Sequence, residues 1–275
     1  MGNCSFCGKP AGLFRSRHSE CAAQYNAAVR RVADVAQRAA AGRGSFEEVE
    51  QTISSAREHF VQESDLRGQL VRAWEAAVDE FLNDDLLDES EEKQLVAFQE
   101  HYGLSQEDLD GNGAYSRIVK TAVLRELMNG EVPAGVRVEG LLPFNFQKTE
   151  KLIWVFPAAE YLEDKVRREY VGGSQGVSVR IAKGVYYRSG SFRGRPVERT
   201  ERVPIDEGIL AVTDKHIYFG GPRKSFRIRH DKIVTHMPYS DGVGVVRDAT
   251  TAKPQIFVTG DGWFTYNLLV NVAQL

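Results

Sequence analysis

A series of short alternating segments at the end of the chain, residues 208–275, most constrains the fold. Residues 209–213 and 216–219 are two short, strongly apolar runs, and only Asp214 and Lys215 separate them. Short apolar runs bounded by polar residues predict strands, and the short polar connection predicts an antiparallel hairpin. This part of the chain is therefore expected to be β-structure.

More short segments of the same kind surround the hairpin. Residues 226–229, 242–247 and 255–259 read as further strands, and the apolar run 268–272 reads as a closing helix. Upstream, 151–157 and 177–188 have strand character, 159–170 is compatible with either strand or helix, and 190–196 is predicted to be a turn with a basic tip. Short antiparallel strands at this spacing favour a small barrel or sandwich.

The residues of the hairpin carry a family resemblance. Leu-Ala-Val-Thr-Asp-Lys-His-Ile-Tyr-Phe-Gly at 210–220, followed by Asp231-Lys232-Ile233, resembles bacterial pleckstrin-homology-like domains, including the GRAM-like branch. The resemblance covers roughly 152–275, with a long β insertion around 172–204. It implies a curled seven-stranded sheet with a C-terminal helix plugging one end. It also implies recognition of proteins or of acidic lipids, including phosphoinositides.

The first half of the chain has a helical period instead. Apolar residues recur at steps of three and four from about residue 20 to 128, which predicts a helical bundle. Predicted helix starts lie at Ser45, Ser64, Asp88 and Ser105, three of them with an acidic residue three positions later. Residues 81–109 also resemble tellurite-resistance B-like bundles, which implies helical architecture only.

All three cysteines lie at the N-terminus, in the pattern Cys4-x2-Cys7-x10-His18-x2-Cys21. Three thiols and one imidazole in two close pairs are typical of a tetrahedral Cys3His zinc site. Four protein ligands leave no position for water, so the sequence predicts one structural Zn²⁺ per chain. A reduced, metal-free tail is the alternative. The segment resembles zinc-ribbon or treble-clef knuckles, which bind proteins or nucleic acid.

Together these patterns predict an α+β multidomain protein. The expected domains are a zinc knuckle (1–24), a helical bundle (25–130), a linker (131–150) and a pleckstrin-homology-like β domain (151–275). Charge divides along similar lines, because residues 1–130 carry 14 Lys/Arg against 22 Asp/Glu and the remainder carries 21 against 16. The uneven charge predicts two surfaces of different character.

Catalytic signatures are missing from the sequence. It contains no nucleophile elbow, no phosphate-binding P-loop and no His-Glu-x2-His helix, so we expect a non-enzymatic protein. His216, His230 and His236 are expected to be surface or satisfied core residues. Residues 108–113 imitate the start of a calcium loop, but Val119 stands where the bidentate Glu belongs, so a polar loop is predicted. No run is long enough to span a bilayer and no signal-like core opens the chain, so a cytoplasmic protein, or one peripheral to a membrane, is expected.

The predicted function is that of a binding or adaptor protein that recognises another protein or a second copy of itself. The first alternative is peripheral binding of anionic lipid. Its candidate residues are Arg188, Arg193, Arg195, Arg223, Lys224 and Arg227. The second is nucleic-acid binding through the zinc knuckle, with Lys9, Arg15 and Arg17 as candidates, although the half of the chain that carries them is acidic.

Overall fold

The computed structural model of this 275-residue chain divides it into two compact units, Met1–Asn129 and Gly130–Leu275. The described residues are 2–12, 15–84, 87–133, 142–171, 174–182, 185–192, 195–249 and 253–275. Between residues 165 and 201 the description covers the backbone of the strands alone. The predicted α+β class is confirmed, because helices make up the first unit and an antiparallel sheet dominates the second.

The described residues of the first unit form six helices. They are α1 (Ser19–Ala40), α2 (Phe46–Glu58), α3 (Glu63–Phe81), α4 (Glu89–Tyr102), α5 (Gln106–Leu109) and α6 (Ala114–Met128), with a 3₁₀ turn at Leu82–Asp84. Their apolar faces meet in one core. Trp74 of α3 lies at its centre, 1% exposed, and its indole N–H donates to the Leu95 carbonyl of α4 at 3.0 Å.

Side-chain caps begin three of these helices where the sequence predicts them. Ser45 accepts from the Glu48 backbone N–H, and Asp88 and Ser105 each form a complete capping box. The cap predicted at Ser64 is wrong. The helix begins one residue earlier at Glu63, and Gln62 occupies the N-cap position without a side-chain bond.

Nine strands and one helix are present in the described part of the second unit. They are β1 (Leu152–Val171), β2 (Ser174–Ala182), β3 (Val185–Phe192), β4 (Arg195–Thr213), β5 (His216–Gly220), β6 (Ser225–Arg229), β7 (Ile233–Pro238), β8 (Gly242–Arg247), β9 (Gln255–Val258) and α7 (Gly262–Val272). Seven of them make an antiparallel sheet in the order β6-β5-β4-β1-β9-β8-β7, while β2 and β3 pair separately. The predicted hairpin is confirmed as the end of β4 and β5. The ambiguous residues 159–170 are strand.

Aromatic side chains fill the interior of the sheet. Tyr161 of β1 lies 4.9 Å from Phe226 of β6 and 5.6 Å from Phe257 of β9, measured between ring centroids. Because β6 and β9 are not neighbours in the strand order, this shared contact shows that the sheet curls around its aromatic core. Helix α7 covers another part of the sheet. There the Phe264 ring contacts the Trp154 ring edge-on, with centroids 4.8 Å apart.

Candidate metal centre

The N-terminal segment folds as a tight knuckle around its first two cysteines. The Gly8 N–H donates to the Cys4 carbonyl at 2.9 Å, and the Cys4 N–H donates to the Lys9 carbonyl at 2.7 Å. Gly8 has a φ of +71°, which glycine adopts at little cost. The turn that follows Cys7 therefore depends on a glycine at position 8.

The knuckle and helix α1 bring four ligand atoms together. The ligand atoms of Cys4, Cys7, His18 and Cys21 all lie within 4.8 Å of one another. His18 Nδ1 is 3.3 Å from Cys7 Sγ and 3.7 Å from Cys21 Sγ. Ligands of a tetrahedral zinc ion, with bonds of about 2.0–2.3 Å, lie about 3.5–3.8 Å apart. The two distances from His18 are close to these values, and the four residues predicted from the spacing are near enough to one another to bind a metal ion.

A backbone bond fixes the orientation of the imidazole. His18 Nε2 lies 3.0 Å from the Pro10 carbonyl, so Nε2 donates and Nδ1 presents its lone pair to the thiols. Metal-bound histidines usually donate their second ring nitrogen in this way. His18 is also the N-cap residue of α1, which places Cys21 in the first turn of that helix.

The pKa values of Cys4 and Cys21 are shifted in opposite directions, as expected of sulfurs that share one site. Burial opposes ionisation of Cys4, but the N–H groups of Cys7, His18 and Phe6 outweigh it and lower the Cys4 pKa to about 6. Burial, together with the nearby sulfurs of Cys7 and Cys4, raises the Cys21 pKa to about 11. A second thiolate beside the first is unfavourable unless a cation balances the charge, which a bound metal ion does.

An aromatic contact joins the knuckle to the helices. Phe6, between the two cysteines of the turn, stacks on Tyr25 of α1 with ring centroids 4.9 Å apart, and Phe60 lies 6.3 Å away on the other side. The Tyr25 hydroxyl donates to Asp65 of α3 at 2.8 Å. The metal ligands are therefore connected to the packing of the bundle through Phe6.

In the acidic loop that imitates a calcium site, the carboxylate oxygens of Asp108 and Asp110 accept hydrogen bonds from other residues of the protein. Asp108 accepts from Arg67 Nη2 at 2.6 Å, and this bond, with those from Ser105, holds the pKa of Asp108 well below its usual range. Asp110 accepts from the Ser116 backbone N–H at 2.9 Å. Within the described residues, the four N-terminal ligands are the one group of His, Cys, Asp or Glu close enough to hold a metal ion.

Two of the remaining histidines are core residues of the second unit. His216 Nδ1 contacts the buried Glu150 carboxylate, which also accepts from the Tyr218 hydroxyl at 2.7 Å and from the Gln147 N–H at 2.6 Å. Burial opposes ionisation of Glu150, but these donors outweigh it and lower the Glu150 pKa. His230, 7% exposed, donates from Nε2 to the Thr213 carbonyl at 2.9 Å.

The three candidate anion-binding side chains that the structure describes line two different clefts. Arg193 lies outside the described residues, and for Arg188 in β3 and Arg195 in β4 only the backbone is described. Arg223 lines a cleft that also contains carboxylates, and its Nη1 donates to the Ile205 carbonyl at 3.3 Å.

Lys224 and Arg227 line a different cleft. Arg247 and Lys253 line it with them, and sequence reasoning missed these two residues. They come from the end of β8 and the segment before β9, about twenty to thirty positions from Lys224 and Arg227. No local signal places them together, because their proximity depends on the curl of the sheet.

Comparison of the chain with protein-family models, with curated proteins and with solved structures finds no match. None of the helices in the described part of the chain has the length and apolar character needed to cross a membrane.

Proposed function

We propose that this chain is a non-enzymatic binding or adaptor protein. Its N-terminal module holds one structural Zn²⁺ through Cys4, Cys7, His18 and Cys21, and its C-terminal pleckstrin-homology-like domain recognises a protein partner. The observation that carries the proposal is the convergence of three thiols and one imidazole, whose ligand atoms all lie within 4.8 Å of one another. A site with four protein ligands stabilises a fold, whereas a catalytic zinc keeps one position open.

The topology of the second unit supports the other half of the proposal. A curled antiparallel sheet of seven strands, followed by a helix that packs against it, is the arrangement that the family resemblance implies. The β2–β3 hairpin lies in the region of the expected long insertion. Such a sheet offers rigid strands and loops for recognition. Anionic lipid and nucleic acid are the competing partners, and both predict binding that weakens steeply as salt rises.

Metal analysis of the purified full chain tests the zinc centre. We expect one zinc per chain, and loss of that zinc in the Cys7→Ser, Cys21→Ser and His18→Gln variants. His101→Gln is the matched control, because His101 is exposed and lies outside the cluster. Retention of zinc by the cysteine variants, or absence of zinc from a reduced, chelator-free preparation, would contradict the proposal.

Replacement of zinc by Co²⁺ tests whether the site is structural. A closed Cys3His site predicts the intense visible bands of four-coordinate cobalt, with no spectral change when azide is added, because no position is open to it. A spectrum that azide alters would show an exchangeable position. That outcome would favour a catalytic centre over the binding protein proposed here.

A further inference from the structure

Strand β6 is an edge of the seven-stranded sheet, with β5 as its one strand neighbour among the described residues. The register pairs Phe226 with Phe219 and Arg227 with Tyr218 of β5. Two backbone bonds lie just beyond the paired residues, from His230 N to Lys215 O at 3.1 Å and from Gly221 N to Lys224 O at 2.8 Å. They show which residues of β6 direct their backbone groups toward β5.

Residues alternate between the two edges of an antiparallel strand. Phe226 and Ile228 therefore turn their backbone groups toward β5, whereas Ser225, Arg227 and Arg229 turn theirs outward. No strand in the described part of the chain pairs with that outer edge. Free N–H and C=O groups in a row are a template for another strand.

Two open clefts follow this edge. One, of about 500 Å³, lies at the Lys224 end, and the other, of about 720 Å³, lies at the Arg229 end. Arg227 and Arg247 line both of them, so the clefts are adjacent along the strand. We call the combined feature the β6 groove. A five-residue strand is about 16 Å long, which suits a short extended segment.

The β6 groove is strongly cationic although the whole chain has a formal charge of −3. Seven cationic side chains line it against three carboxylates. The cations are Lys215, Lys224, Arg227, Arg229, Lys232, Arg247 and Lys253. The carboxylates are already engaged, since Asp231 accepts from Arg229, Glu163 from the Tyr161 hydroxyl and Asp214 from the Lys151 N–H.

The cations exceed what protection of an edge strand requires. Charged residues on an edge strand commonly prevent unwanted pairing, and Arg227 and Arg229 could serve that purpose alone. Arg247 and Lys253, however, belong to other segments and line the groove that the curl of the sheet creates. The positive charge is also distributed along the whole strand, which matches a linear ligand better than a compact one.

From the free edge and its charge we infer that the β6 groove binds an extended acidic peptide segment of a partner protein, which adds to β6 as an eighth strand. Backbone groups of Ser225, Arg227 and Arg229 would bond its main chain, and the surrounding cations would select its Asp and Glu side chains. The inference rests on the proposed role in protein recognition and names the chemistry of the partner.

A fluorescein-labelled peptide of about ten residues, alternating Glu and Val, tests this with the full chain by fluorescence anisotropy. We expect saturable binding that weakens about tenfold or more in the Arg227→Glu/Arg247→Glu variant. Arg30→Glu/Arg31→Glu is the control, because it makes the same change in charge on the exposed face of α1. A version of the peptide with every backbone amide N-methylated should also bind about tenfold more weakly or worse, since it cannot donate to a strand.

Four outcomes would overturn the inference. They are no binding of the Glu-Val peptide, equal binding of its N-methylated version, tighter binding of oligothymidylate through Arg227 and Arg247, and retention on phosphatidylserine vesicles through the same arginines without competition from the peptide. The last two would assign the groove to nucleic acid or to lipid. Each of these results is independent of zinc content, so failure of the β6 groove and failure of the metal centre are distinguishable.

Discussion

At the scale of single residues, His18 and His230 each have one ring nitrogen bonded to a backbone carbonyl, and the surroundings of the other nitrogen differ. In His18 and in His230 the Nε2 atom lies about 3 Å from a backbone carbonyl, at 3.0 Å and 2.9 Å respectively, so in the neutral form of each ring Nε2 carries the hydrogen and Nδ1 the lone pair. At His18 that lone pair points to thiols and is suited to a metal ion. At His230 it is buried with no partner among the described residues. A proton on His230 Nδ1 would therefore be unfavourable.

This makes the second unit sensitive to acid. Burial lowers the pKa of His230, and it also lowers that of His236. A lowered folded-state pKa means that the unfolded chain binds the proton more tightly, so stability is full above the unfolded value of about 6.5 and falls as pH drops below it.

Urea unfolding of the second unit at pH 8, 7, 6 and 5 measures the effect. We expect stability to fall toward pH 5, and to fall less in the His230→Gln variant, which has no ring to protonate. His101→Gln should keep the wild-type slope, because its side chain is exposed in the first unit. An unchanged slope in His230→Gln would show that His230 does not carry this pH dependence.

The cysteine and histidine ligands could be predicted because they lie within eighteen positions of one another and their spacing reflects local geometry. Of the residues that line the β6 groove, Lys224 and Arg227 were predicted as candidates, but Arg247 and Lys253 could not be predicted. The sequence around Arg247 contains no motif that indicates a binding site. Its neighbours in space are determined by the curl of the sheet, which the sequence does not reveal.

At the scale of elements, close backbone contacts position α7 on the sheet. Gly262, the first residue of α7, has space for no more than a hydrogen, because a Cβ there would meet the Tyr239 carbonyl and the Gly242 nitrogen. The entry of the chain into α7 is thus fixed by contact with the β7–β8 turn. The Asp261 side chain caps the helix by accepting from the Phe264 N–H at 3.0 Å.

Gly262→Ala should therefore destabilise the second unit. Backbone must move to admit the methyl group, and we expect a loss of about 1–3 kcal/mol in the free energy of unfolding. Urea unfolding followed by tryptophan fluorescence measures it. Gly111→Ala serves as the control, since nothing lies within 4 Å of its Cβ position. Equal stability of Gly262→Ala and the wild type would contradict this account of the contact.

The elements themselves were largely predictable, and their exceptions have physical causes. Helix α2 ends at Glu58, so Phe60 does not continue its apolar face. Phe60 has a φ of +67° and is 36% exposed, so it does not join the core. Residues 159–170 have no decisive period. Pairing with β4, and with β9 over Glu160–Glu163, makes them strand, and that pairing is not visible in the sequence itself.

At the scale of the whole molecule, the two units have separate cores and different chemistry. The metal ligands belong to the first unit, and Phe6 links them to α1 and to the segment before α3. Metal binding contributes folding free energy to the unit that contains the site. The second unit contains none of the four ligands.

Removal of the metal should therefore affect one part of thermal unfolding. We expect calorimetry with excess chelator to lower the transition of the first unit by about 5 °C or more and to leave that of the second unit in place. The Cys21→Ser variant should reproduce the shift without chelator. A shift of both transitions together would show that the two units unfold cooperatively.

The pairing of β1 with β4 has a consequence for how this chain can vary in evolution. Val171 and Arg195 are paired at the far end of β1 and β4. The segment between them therefore leaves the sheet and returns to it at the same position. A tight turn joining the two would replace the β2–β3 hairpin and preserve every pairing of the seven-stranded sheet. Loss, lengthening or exchange of this segment is therefore compatible with an unchanged seven-stranded sheet and β6 groove.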